Sequence, residues 1–299
     1  MNIEGKIRLA VACSLPLVTG VAGAEPEVAS KRDFLENGKV KIGVDLSSGG
    51  AVFWFSELPG GANLLNHADR GRFVQQSYYG KKDGSVWAKK PWRWNPVQGG
   101  DYKGKPARVL EQRKEDGGKT LYVKSVPVNW AGGQDIEDCR MEQWITLAGE
   151  MARIRYRFTY SGKDQHPPCH QELPAVFMDL ALTDMVYYSG DKPWSGEAVK
   201  KDRPGWPNEQ RKCDENWAAY VGPEGKGLGV YFPGSTQVTC YRHPGPKGPK
   251  GGGCSYFAPI RTMQITPGFE FEYEIYLTIG TVEEIRGRFG VRRKSLGKG

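Results

Sequence analysis

This sequence predicts an all-β protein, a large antiparallel two-sheet sandwich closed by a short C-terminal helix. Three observations carry that expectation. About a dozen short runs alternate apolar and polar residues with the period of a half-buried strand. Gly 40 and Pro 20 together make up about a fifth of the 299 residues, which leaves few windows for ordinary helices. A lone capping box sits near the C-terminus. With 38% hydrophobic and 25% charged residues, the composition is that of a folded chain rather than a disordered one.

The strands follow in order. Residues 39–46 put Val40, Ile42, Val44 and Leu46 on one face, then Gly49-Gly50 turns the chain into 51–58, a hairpin. Residues 108–115, 120–130, 141–148 and 151–162 come next, the last alternating Ile154, Tyr156, Phe158 and Tyr160 against arginines. Further runs are 175–182, 216–222, 227–233, 237–243, 260–265 and 269–280, and in the last the glutamates 270, 272 and 274 face away from Phe271, Tyr273 and Ile275. Residues 72–79 read as one more strand, and 208–215 as a turn of helix. Thr281-Val282-Glu283-Glu284 is the capping box, opening a helix to about Phe289. Neither a repeat nor a linker divides residues 25–290, which read as a single sandwich domain, followed by a basic tail at 291–299.

The first 24 residues have the form of a secretory signal peptide: Lys6 and Arg8, a short apolar core, and Ala22-Gly23-Ala24 as a small-x-small cleavage site. A secreted or periplasmic location follows as an expectation. Cys13 leaves with the leader, and Cys139, Cys169, Cys213, Cys240 and Cys254 remain. Cys240 and Cys254 flank a loop rich in Gly and Pro, so a disulfide between them is the expected pairing. The absence of paired C-x-x-C spacings argues against structural zinc. The net charge of +8 suits an anionic polysaccharide or cell surface, whereas secretion argues against nucleic acid. Apart from the leader, no apolar run is long enough to span a bilayer.

Three segments carry a family resemblance. They are NGKVKIGVDLSSGGAVFWFSELPGGANLLN, the hairpin MEQWITLAGEMARIRYRFTYSG with the polar His170-Gln171-Glu172 beyond it, and ITPGFEFEYEIYLTIG. Together they resemble the galactose-mutarotase-like supersandwich superfamily at the level of architecture. The resemblance implies a carbohydrate-active protein, since that superfamily includes sugar mutarotases, polysaccharide-lyase domains and sandwich domains of glycoside hydrolases.

Four polar constellations could carry the chemistry. The first runs from Asn66, His67 and Asp69 through Arg72 to Gln76, Tyr78 and Tyr79. If it is extended, Arg72, Gln76 and Tyr78 share one face, and a guanidinium beside an amide suits a sugar carboxylate or hydroxyl pair. The second offers Trp92 and Trp94 as stacking faces, with Asn95, Gln98 and Asp101 in the glycine-rich loop beyond. In the third, His170 and Glu172 point the same way on an extended chain and could form an acid–base pair. A His166/Cys169/His170 metal site is an alternative there, but the intervening prolines exclude a helical zinc motif. The fourth is Glu215 with Trp217 at the start of a strand. No cofactor motif is present, although the glycine-rich loops leave room for a structural calcium ion.

These residues point to an enzyme cleaving a polysaccharide or glycoside. A hydrolase needs two carboxylates, drawn from Asp69, Asp101, Glu172 and Glu215. A lyase on a uronic-acid polymer would use Arg72, Gln76 and Asn66 to neutralise the carboxylate. Its base would be Tyr78, Tyr79 or His170, and a tyrosine base would need an arginine to lower its pKa. The supply of acids favours hydrolysis slightly, and the basic balance favours elimination. A non-catalytic carbohydrate-binding protein and a mutarotase are the other readings.

Overall fold

Residues 39–58 fold as the hairpin their alternation predicts, with an added strand in front. A computed structural model describes residues 31–246 and 252–297. The leader, with its cleavage site and Cys13, and the last two tail residues lie outside the described residues. Strands β1 (Arg32–Glu36), β2 (Val40–Asp45) and β3 (Ala51–Glu57) form a three-stranded antiparallel sheet. Gly49 and Gly50 make the turn before β3 with φ of 60° and 73°, a region only glycine enters freely.

The rest of the chain builds two larger sheets. Short strands β4 (Gln75–Ser77), β5 (Val86–Trp87), β6 (Lys90–Pro91) and β7 (Pro96–Val97) precede the long β8 (Arg108–Glu115) and β9 (Thr120–Val126). After β10 (Val128–Asn129), the ten-residue partners β11 (Cys139–Ala148) and β12 (Met151–Tyr160) pair along their whole length. Strands β13 (Cys169–Met178), β14 (Asp184–Tyr187), β15 (Lys200–Asp202) and β16 (Glu209–Lys212) follow. The series ends with β17 (Trp217–Val221), β18 (Lys226–Tyr231), β19 (Gln237–His243), β20 (Cys254–Met263), β21 (Glu270–Thr281) and helix α1 (Val282–Ser295).

The seven-stranded sheet runs β10-β7-β4-β13-β20-β19-β16, and the nine-stranded sheet β15-β14-β17-β18-β21-β12-β11-β9-β8. Their inner faces share one apolar core, in which Val176, Met178 and Phe257 meet Ile145, Ile154 and Leu277. Polar residues tie the sheets together inside that core. Tyr220 donates to the carbonyls of Tyr241 and Tyr256, and Gln76 donates to that of Glu142. This is the antiparallel sandwich that the alternation predicts. Among the described residues, no helix is long and apolar enough to cross a membrane.

Four expectations are corrected. The 208–215 segment holds an edge strand, β16, because it adds to β19, while Arg211 pairs with Asp202 and Glu209. Only Gln75–Ser77 of the 72–79 run forms a ladder. All five described cysteines are free, Cys240 and Cys254 included. Cys254 opposes His243, three residues beyond Cys240, so the two cysteines stand about 10 Å apart along the ladder. They also occupy different clusters, and a disulfide needs Cα atoms within about 7 Å.

Helix α1, finally, continues to Ser295, well beyond Phe289. Much of the supposed tail is therefore helix, and Arg292 within it donates to the Tyr276 hydroxyl. Its start is as predicted, with the Thr281 hydroxyl accepting from the Glu284 amide and the Glu284 carboxylate accepting from the Thr281 amide. Thr281→Ala should therefore cost about 1 kcal/mol of stability, measurable by urea unfolding.

Candidate functional site

Alternation decides which side chains leave the core for the outer face of the seven-stranded sheet. Along β4 and the two residues after its end, Gln75, Ser77 and Tyr79 point outward, whereas Gln76 and Tyr78 point between the sheets. On β19, Val238 and Cys240 face the core and Thr239 and Tyr241 face out; on β20, Phe257 faces in and Tyr256 out. β13 breaks parity. A register shift between Glu172 and Ala175 lets His170, Glu172, Ala175 and Phe177 all face outward.

These outward residues form the floor of a cleft. Trp87, Trp92, Trp130 and Trp206 wall it. Trp87 stands edge-on to Trp92 and Trp130 at 4.9 and 6.1 Å, and Trp206 stands edge-on to Tyr241 at 4.8 Å. The cleft has one lobe of ≈ 130 Å³ and a neighbouring lobe of ≈ 260 Å³. Trp206 is 54% exposed, so part of its ring surface is open to a ligand in the cleft.

Glu172 lies at the floor. Its Oε1 accepts from the Tyr256 hydroxyl at 2.6 Å, and burial holds its pKa above the usual carboxylate value despite hydrogen bonds from Tyr256, Tyr79 and Ser77. Burial, with Glu172 nearby, pushes the phenols of Tyr79, Tyr241 and Tyr256 well above their ordinary range. The lowered tyrosine pKa that a tyrosine base requires is therefore not met. Arg72 also reaches the cleft, but Asp69 binds its guanidinium. His170 is exposed in the second lobe and its Nδ1 shares a hydrogen bond with Thr262.

The structure brings together Arg72, Tyr79, Trp92, Asn95, His170 and Glu172 of the candidates. Asn95 acts through its neighbours: its amide donates to the Tyr78 carbonyl and the Ser77 hydroxyl, and its oxygen accepts from the Trp92 indole. The other candidates lie elsewhere. Gln76 and Gln98 are buried in a network that reaches Gln143, and Tyr78 stacks on Phe158 at 3.9 Å. Trp94 stacks on the buried His166 at 4.0 Å, away from the cleft, and burial keeps the His166 pKa low. Asp101 caps the amides of Lys103 and Lys105, and Asn66 holds the Arg72 carbonyl. His67 is exposed outside the cleft, with Nδ1 against the Leu65 carbonyl. Glu215 and Trp217 are fully buried beneath α1, where Arg286 binds the carboxylate.

Sequence reasoning missed Trp130, Asn208, Tyr241 and Tyr256. The two tyrosines sit at outward positions of correctly placed or partly placed strands, but only the sheet order reveals that both border Glu172. Among the described residues, no group of three or more His, Cys, Asp or Glu side chains is set to hold a metal ion.

No protein-family model matches this chain, and no curated protein matches it in sequence. Solved structures do match it in fold. A putative aldose 1-epimerase from Escherichia coli K12 shares 12% identity at a TM-score of 0.51, covering 84% of this chain and 100% of that one. A galactose mutarotase-like protein from Lactobacillus casei shares 10% identity at 0.52, covering 83% and 100%. The α-galactosidase AgaB from Geobacillus stearothermophilus shares 12% at 0.52, covering 84% of this chain and 40% of that one. The architecture is thus that of the galactose-mutarotase-like proteins, and at these identities the likeness extends to the fold alone.

Proposed function

We propose that the cleft binds a carbohydrate and that Glu172 transfers a proton to or from the bound sugar. The observation that carries this is a carboxyl group with a raised pKa at the floor of a cleft walled by tryptophans. Indole faces stack on the C–H surfaces of sugar rings, while Glu172, Asn208 and Gln210 suit the hydroxyls. The printed names of the fold neighbours, sugar epimerase-like and glycosidase proteins, support a sugar ligand as well. The pattern of residues 1–24 supports export, so the carbohydrate would be met outside the cytoplasm.

The reaction class follows from the number of acids. Hydrolysis uses two carboxylates across the bond, and Glu172 is the only carboxylate of the cleft lining among the described residues. Proton transfer alone serves anomeric interconversion or elimination beside a carboxyl group, with His170 as the second titratable side chain facing the same lobe. The test is to incubate the purified protein with free sugars, neutral polymers and uronic-acid polymers. Optical rotation, reducing ends and the ultraviolet absorbance of unsaturated uronates are followed together. Faster anomer exchange, or absorbance rising with reducing ends, is the expected result. Reducing ends alone would restore the carboxylate pair, and silence with retained binding would make the protein a binding module. Trp206→Ala should cost only about 1 kcal/mol of stability, because the ring is half exposed and gives up little beyond its edge contact with Tyr241. It should weaken carbohydrate binding about tenfold, read by intrinsic fluorescence.

A further inference from the structure

The two lobes of the cleft meet at a waist. Both lobes are lined by Tyr79, Trp92, Glu172 and Asn208, so the carboxyl group stands where they join. Because the lobes share these four residues, a ligand that fills the cleft occupies both. The lobes differ in chemistry. The first is aromatic, and its cation, Arg72, is bonded to Asp69. The second adds Arg93, His170, Gln210 and Thr239 to the four shared residues.

Arg93 has no carboxylate partner among the described residues, and the Trp92 ring, 5.8 Å away, is its ring contact. An unneutralised guanidinium beside hydrogen-bonding groups favours an anion, which it can grip through two N–H donors. We infer that the cleft takes an acidic glycan of at least two sugar units, lying across Glu172. One ring lies against the tryptophans, and the next presents a carboxylate or sulfate to Arg93. This rests on the carbohydrate reading above and adds to it the charge and the minimum length of the ligand.

Tryptophan fluorescence titrations of the full chain test it, using a trigalacturonate, a sulfated galactan trisaccharide, maltotriose and monomeric galacturonate. At low salt, one of the acidic trisaccharides should bind at least about tenfold more tightly than maltotriose and than the monomer, and salt should reduce the difference. Preference for trigalacturonate assigns a carboxylate, and preference for the sulfated trisaccharide assigns a sulfate ester. Arg93→Gln should remove about tenfold of affinity for the preferred acid and leave maltotriose binding unchanged, while Arg93→Lys restores only part of it, because the ammonium keeps the charge and loses the two-donor grip. Equal binding of acidic and neutral trisaccharides, or indifference to Arg93→Gln, overturns the acidic assignment and leaves the carbohydrate cleft standing. Binding of none of the four counts against both.

Discussion

Glu172→Gln should lower turnover by about 10²- to 10⁴-fold while carbohydrate binding stays within a few-fold of wild type. The amide fills the same space at the floor of the cleft and can still accept from the Tyr256 hydroxyl, so only the proton is lost. Fluorescence titration and a turnover assay on the same preparation separate the two effects. Because burial raises the Glu172 pKa, its titration lies above the ordinary carboxylate value. If Glu172 acts as a base, kcat/KM rises as pH climbs through that pKa; if it acts as an acid, kcat/KM falls there.

The same shift has a consequence for stability. A carboxyl group whose pKa is higher folded than unfolded favours the folded state most below its unfolded pKa, and that contribution is lost as pH rises through the folded value. Glu172→Gln does not lose it. The variant should therefore gain in Tm relative to wild type as pH rises from the unfolded carboxylate range to above the folded pKa. Parallel Tm curves across that window would contradict this account of the carboxyl group.

Arg286→Met should be the most destabilising single change, costing about 3–5 kcal/mol. Glu215 is fully buried and accepts from the Trp194 amide at 2.6 Å, the Trp217 indole at 2.8 Å, and Arg286 at 2.9 and 2.6 Å. Arg286 also donates to the Glu197 carbonyl, so one side chain fastens α1 both to the turn before β17 and to the loop that precedes β15. Removing the arginine leaves a buried carboxylate without its counter-charge. The double change Glu215→Met with Arg286→Met should recover part of the loss, because no orphan charge remains. Urea unfolding of the three proteins measures both quantities, and a loss below about 1 kcal/mol for Arg286→Met would make this pair ordinary.

How much of this was legible in the sequence depends on how local the signal was. Residues 151–162 alternate cleanly, and β12 forms there; 237–243 alternate at their start, and β19 occupies those residues. The Thr281–Glu284 box is complete within four residues, and the predicted cap forms there. What failed was non-local. In the 72–79 run both faces are polar, so alternation could not say whether Gln76 or Ser77 meets solvent; the inter-sheet bond from Gln76 to Glu142 decides it. Glu215 looked like a site acid because its partner Arg286 is 71 residues away. For Asp69 the opposite holds, since its partner Arg72 is only three residues on and a polar cluster hides an ion pair. His170 and Glu172 do share a face, because two residues on an extended chain point the same way whatever the sheet order.

The central claim is that the outer face of the seven-stranded sheet binds a carbohydrate with Glu172 at its centre. A crystal structure of Glu172→Gln with a bound oligosaccharide tests it most directly. The account predicts a sugar ring against Trp92 or Trp206, with a sugar oxygen within hydrogen-bond distance of residue 172. Sugar bound to another surface while this cleft holds none would contradict it.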